Sequence, residues 1–269
     1  MSEPQTASPA TAAACTHCAT PLAGRFCHVC GQDALPAETA LASWREQWRR
    51  LLRTLRALIL QPGLLTQEHL SGARIRYIPP LTLFLNVVAV FFLFSVATEF
   101  RVQSFVRNDS SHYLDHVLEK RAQAAGIGKE LFLERVERRF QGVYTVCLAS
   151  ISLLGYTLLM KLIFLRHWRD WRGPFTFALH YLAFVFIALP ALMIAVHSLS
   201  GLVGKQVLQY AAMIASAVGV VTWLALASRR LFAERWAVAI AKGVAVLVLG
   251  FFIDQAMFIT AVFVTFNLA

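Results

Sequence analysis

Charge is what this sequence has least of. Only 15% of its 269 residues are Asp, Glu, Lys or Arg, whereas 58% are hydrophobic; soluble domains carry about 25% charged residues. A water-soluble globule of this length would hold more apolar side chains than its interior can hide, which argues against a soluble enzyme, and against disorder over most of the chain. Acidic residues are the scarcer sign, 15 against 25 Lys and Arg, for a formal charge of +10. Residues 1–14 lack both the basic start and the apolar run of a cleavable signal and read as a disordered tail. Catalytic signatures are missing too. His112 and His116 stand one helical turn apart without the glutamate of a helical zincin, and Gly126-Ile-Gly128 carries no phosphate-loop lysine and serine. A non-enzymatic protein is therefore expected.

What is present instead is a set of charge-free runs. At about 20 apolar residues per span they predict an all-α polytopic membrane bundle of about five helices: 77–98, 140–165, 174–200, 206–228 and 237–267. Pro190 falls inside the third, where a membrane helix tolerates the kink because neighbouring groups satisfy the freed carbonyl. The fifth contains Lys242 and Asp254 and reads as one span, with a hairpin of two half-spans as the alternative.

The basic residues between the spans set an orientation. Arg25, Arg45, Arg49, Arg50, Arg53, Arg56, Arg74 and Arg76 precede the first span; Lys161, Arg166, Arg169 and Arg172 follow the second; Lys205 alone separates the third and fourth; Arg229, Arg230, Arg235 and Lys242 precede the fifth. This rich, poor, rich alternation is the positive-inside pattern, with the N-terminus cytoplasmic and the C-terminus periplasmic. Segment 99–142, expected to be an extracytoplasmic helical loop, has eight basic and seven acidic residues and is longer than the loops on which the rule is strongest.

Four of the five cysteines form two C-x-x-C pairs, Cys15-Thr-His-Cys18 and Cys27-His-Val-Cys30. Each pair can bite two adjacent corners of a tetrahedron, so residues 15–32 are expected to form zinc-ribbon-like knuckles holding one structural Zn2+ through Cys15, Cys18, Cys27 and Cys30. A cytoplasmic location argues against disulfides, and a closed thiolate site leaves no position for catalysis. Cys147 lies inside a span and reads as a small packing residue.

Residues 38–60 predict an amphipathic helix. Leu41, Trp44, Trp48, Leu51, Leu55 and Leu58 recur every three or four residues, flanked by Arg45, Arg49, Arg53 and Arg56. Tryptophan and leucine beside arginine describe a helix in the headgroup layer, attracted to anionic lipid; the alternative is a helix packed on another cytoplasmic element. Nucleic acid is not an expected partner, because these arginines are explained by topology and no groove-reading helix accompanies the knuckles.

Polar groups inside the spans are the default place to look for activity. Asn86, Tyr156, His180 and Asp254 fall at comparable depths, which allows one cluster in the inner half of the bundle. Two readings stay open: hydrogen-bonded glue between helices, or a proton or substrate path.

The order of parts is also informative. Cys15-x-x-Cys18, Arg25-Phe-Cys27-x-x-Cys30-Gly-Gln32, a basic helix, Gln61-Pro-Gly-Leu-Leu-Thr66 and Gly72-x-Arg74-x-Arg-Tyr77-x-x-Pro80 leading into a span together resemble the bacterial domain-of-unknown-function family 3667. Phe177-Ala-Leu-His180 and Ala227-Ser-Arg-Arg230 resemble its later segments. The resemblance implies an inner-membrane protein with a zinc-ribbon-like cytoplasmic head, and adds weight to His180; it implies no activity. The expected function is docking of a cytoplasmic protein partner or anionic lipid, with a small proton-coupled transporter using His180 and Asp254 as the alternative.

Overall fold

The computed structural model describes residues 14–15, 18–23, 28–29, 40–72, 76–97, 113–199 and 205–268. The chain divides into two compact units, Met1–Leu51 and Leu52–Ala269. In the first, the described residues around Cys15 form a tight reversal. Ala14 bridges antiparallel to Pro21, the Cys15 N–H donates to Thr20 O at 2.9 Å, and the Ala19 N–H donates to Cys15 O at 2.9 Å. Ala19 takes a left-handed φ of 57° to close the turn.

Helix α1, Ala40–Leu60, stops before Pro62-Gly63, and a short α2 follows at Leu64–Leu70. The second unit then runs through α3 (Pro80–Ala97), α4 (Tyr113–Ala124), α5 (Lys129–Cys147), a π-helical turn (Leu148–Ser152), α6 (Leu153–Ile163), α7 (Arg172–Leu199), α8 (Lys205–Phe232) and α9 (Trp236–Leu268). In the bundle α3 lies on α7, α7 on α8 and α8 on α9, while α9 packs back on α5 and α6.

Among the described residues, four helices are long and apolar enough to cross a membrane: Lys129–Ile163, Arg172–Val196, Gln206–Phe232 and Trp236–Asn267. Only 22–35% of each apolar stretch is buried inside the protein, and large side chains such as Val90, Met213 and Phe263 face outward. Contiguous apolar surface on this scale is what a lipid-facing bundle presents and a soluble monomer avoids. The chain therefore fits a multi-pass membrane protein.

The expected first span, 77–98, is shorter as a helix: its apolar stretch covers Pro80–Phe94. Tyr77 and Ile78 are used by the connection before it, where the Ile78 N–H donates to Thr54 Oγ1 at 3.1 Å, and Pro79-Pro80 set the helix start. The expected second span begins earlier than 140. With no proline between 129 and 163, the amphipathic stretch before it continues into the span, broken only in register by the π turn. Lys161 ends this helix by donating from Nζ to the carbonyls of Trp168 (2.6 Å), Arg169 (2.9 Å) and Asp170 (3.3 Å). The last segment is a single unbroken helix, without a hairpin.

Candidate functional site

The α1–α2 connection is tied to several later helices of the second unit. Thr54, Ala57 and Leu58 are buried, so the last turns of α1 pack on the bundle instead of lying wholly at its surface. Three long-range hydrogen bonds hold the connection. Trp223 Nε1 donates to Leu58 O at 2.8 Å, Arg230 Nη1 donates to Pro62 O at 3.3 Å, and Thr66 Oγ1 lies 2.9 Å from His180 Nδ1. Leu58 O has no intrahelical partner because Pro62, four residues on, has no N–H, so the Trp223 indole supplies the missing donor, while the Arg230 guanidinium satisfies a carbonyl of the connection itself. Gly63 is required twice over at this junction. Its φ is +83°, and a Cβ there would come within 2.9 Å of Ala227 O.

Thr66 and His180 are 1% and 2% exposed. At that burial a polar side chain is tolerated only with a partner, and each is the other's. Beside them, His69, Tyr77 and Pro79 help His180 and Leu65 line a cavity of about 60 Å³. Beneath the site runs a chain of rings: Phe177 stacks on Trp223 (5.9 Å), Trp223 on Phe184 (5.0 Å), and Phe164 meets Phe177 edge-on (5.8 Å).

At the same end of the bundle, Glu234 in the α8–α9 connection is enclosed by Lys242, Ser228 and His167. Lys242 Nζ and Ser228 Oγ both donate to its carboxylate, and His167 Nε2 lies 3.6 Å away. Partial burial pushes the Glu234 carboxyl up, but the hydrogen bonds from Lys242 and Ser228, with the charges of Lys242 and His167, hold it below the usual carboxylate range. Lys242 also sits 4.6 Å from the centre of the Phe164 ring, a cation–π contact that joins this group to the aromatic chain.

Deeper in the spans, Tyr156 donates to Asp254 Oδ2 at 3.0 Å, and the Tyr181 ring lies 5.2 Å from that of Tyr156. Gly250, one turn before Asp254, makes room for the phenol: a Cβ there would stand 2.6 Å from the Tyr156 hydroxyl.

The intramembrane polar residues therefore separate into three places. Tyr156 and Asp254 are brought together; His180 is paired elsewhere with Thr66; Asn86 is exposed on the outer face of α3. In the first unit, Cys15 and Cys18 lie within the tight reversal, with Cys18 Sγ 3.2 Å from Thr20 Oγ1. Cys27 and Cys30 lie outside the described residues. On α1, Trp44, Trp48, Leu52 and Ile59 are exposed, as are Arg45, Arg49, Arg53 and Arg56.

Sequence reasoning from charge and apolar periodicity missed Thr66 as the partner of His180 and missed Gln255 beside Asp254. The first had a signal in the run Gln61–Thr66, and the second is an uncharged amide inside an apolar span. No curated protein and no solved structure matches the chain. Residues 49–92, which hold the second half of α1, all of α2 and the start of α3, match the model of the family described as Protein of unknown function (DUF3667), the family whose pattern the sequence resembles.

Proposed function

We propose that this chain is a non-enzymatic docking protein of a bacterial inner membrane, with a zinc-stabilised head and an arginine helix on the cytoplasmic side and the C-terminus in the periplasm. The observation that carries the reading is α1: exposed Trp44, Trp48, Leu52 and Ile59 run beside Arg45, Arg49, Arg53 and Arg56. An apolar stripe edged by guanidinium groups fits the boundary between acyl chains and anionic headgroups, each arginine adding about 1 kcal/mol of attraction. The hydrogen bonds from Trp223 and Arg230 fix the C-terminal end of that helix to the spans.

In this reading α3 is the first of five spans, with the four longer helices as the others, and the positive-inside alternation supports the orientation. Cys15, Cys18, Cys27 and Cys30 hold Zn2+ as a structural ion; the paired spacing and the turn closed by Ala19 support it. A bound zinc would fix the head's fold and supply no open coordination site.

The test is crosslinking and affinity purification of the full chain from native membranes, beside a variant with all four cysteines changed to serine. A cytoplasmic protein or anionic lipid recovered with the native chain and lost with the variant supports docking through the head. Equal recovery from both, or well under one zinc per native chain, overturns it. Uptake by reconstituted vesicles that disappears in Asp254→Ala would replace docking with transport.

A further inference from the structure

Helix α9 places two adjacent polar side chains deep in an apolar span. Asp254 and Gln255 lie roughly 27 Å from the helix start, along a helix roughly 50 Å long. Both are exposed, and the side chains around them on the outward face, Phe251, Phe252, Ile259 and Phe263, are large, apolar and exposed. Asp254 uses Oδ2 to accept from Tyr156. Among the described residues Asp254 Oδ1 accepts nothing, and the Gln255 amide makes no hydrogen bond at all. By contrast, the exposed Thr260 and Asn267 of the same helix satisfy themselves on backbone carbonyls one turn back.

Acyl chains offer neither donor nor acceptor, so a lipid covering this face would leave an amide and a carboxyl oxygen without partners. Another helix is what satisfies such groups in a membrane. The chemistry also says which helix. A two-fold axis along the membrane normal brings each residue opposite its own copy at the same depth. A carboxylate carries acceptors only and is not its own complement, but a side-chain amide carries both donors and an acceptor. Next to a carboxyl oxygen with spare capacity, it completes a reciprocal set.

We propose that two copies of this chain pair through the outward face of α9, each Gln255 donating to Asp254 or Gln255 of the second copy, with Phe251, Phe252, Ile259 and Phe263 packing around the polar centre. The inference rests on the membrane placement of α9 alone and is independent of the docking reading.

The test co-expresses two differently tagged full-length copies, extracts them with a bilayer-retaining polymer, and measures recovery of one tag on the other. Copies expressed apart and mixed after extraction give the background. Gln255→Met removes the amide at nearly constant size, on a face where an apolar residue does not threaten folding. The native chains are expected to co-purify above background. The variant should fall about threefold for each hydrogen bond lost, or about tenfold for the reciprocal pair. Fluorescent copies in dilute vesicles should bleach mainly in two steps for the native chain and in one step for Gln255→Met. Native recovery at background, or undiminished pairing of Gln255→Met in either measurement, overturns the proposal.

Discussion

Thr66 and His180 show how a single pair can decide whether a segment stays in place. Both are almost fully buried, so each loses water's hydrogen bonds and must recover them from the other. Removing one partner leaves the second unsatisfied, at a cost of about 1–3 kcal/mol, whereas removing both costs little more than removing one. His180→Ala and Thr66→Ala are each expected to lower the unfolding midpoint of the purified protein, and the double variant to match the worse single one. Fully additive losses in that double-mutant cycle would mean that the two side chains do not depend on each other.

At the scale of elements, the connection between α8 and α9 spans only Ala233, Glu234 and Arg235, and Glu234 is the residue through which it grips its surroundings. Because its folded-state carboxyl lies below the ordinary value, the folded chain binds its proton less readily than the unfolded one. The resulting stabilisation is present at neutral pH and is lost as pH falls below about 4.5 and through the folded value. Glu234→Gln should be less stable at neutral pH and should lose less on acidification, read as the thermal midpoint from neutral pH down to about pH 3. An acid profile unchanged by the substitution would remove this role.

Elements of this kind were only partly legible in the sequence. Charge-poor runs marked the long helices, because a span admits few charges. On α1 the spacing drew attention to Trp44 and Trp48, which are exposed, whereas Leu55 and Leu58 of the same expected stripe are drawn into the bundle. Ends were less so, because α1 yields its last turns to the bundle and the helix from Lys129 continues through the expected loop boundary. Pairings across the fold carried no local trace: Thr66 and His180 are 114 residues apart, and Tyr156 and Asp254 are 98 apart. Charge drew attention to Asp254, while the neutral Gln255 beside it produced no contrast.

For the whole molecule, orientation is the property that the proposed function needs most. If α3 spans together with the four longer helices, the two ends of the chain face opposite compartments. A reporter active only in the periplasm, fused after Ala269, is expected to be active, and one that works only in the cytoplasm is expected to be silent. The reverse result would exclude the five-span arrangement.

The bonds that hold the α1–α2 connection also impose an order of assembly. Leu58, Pro62 and Thr66 leave the ribosome early, yet their partners Trp223, Arg230 and His180 are made 165, 168 and 114 residues later. Until those later helices are inserted, the Leu58 and Pro62 carbonyls and the Thr66 hydroxyl lack these partners. This early-made connection is therefore among the last parts to reach its final form, and a nascent chain halted before α8 would hold it unfinished.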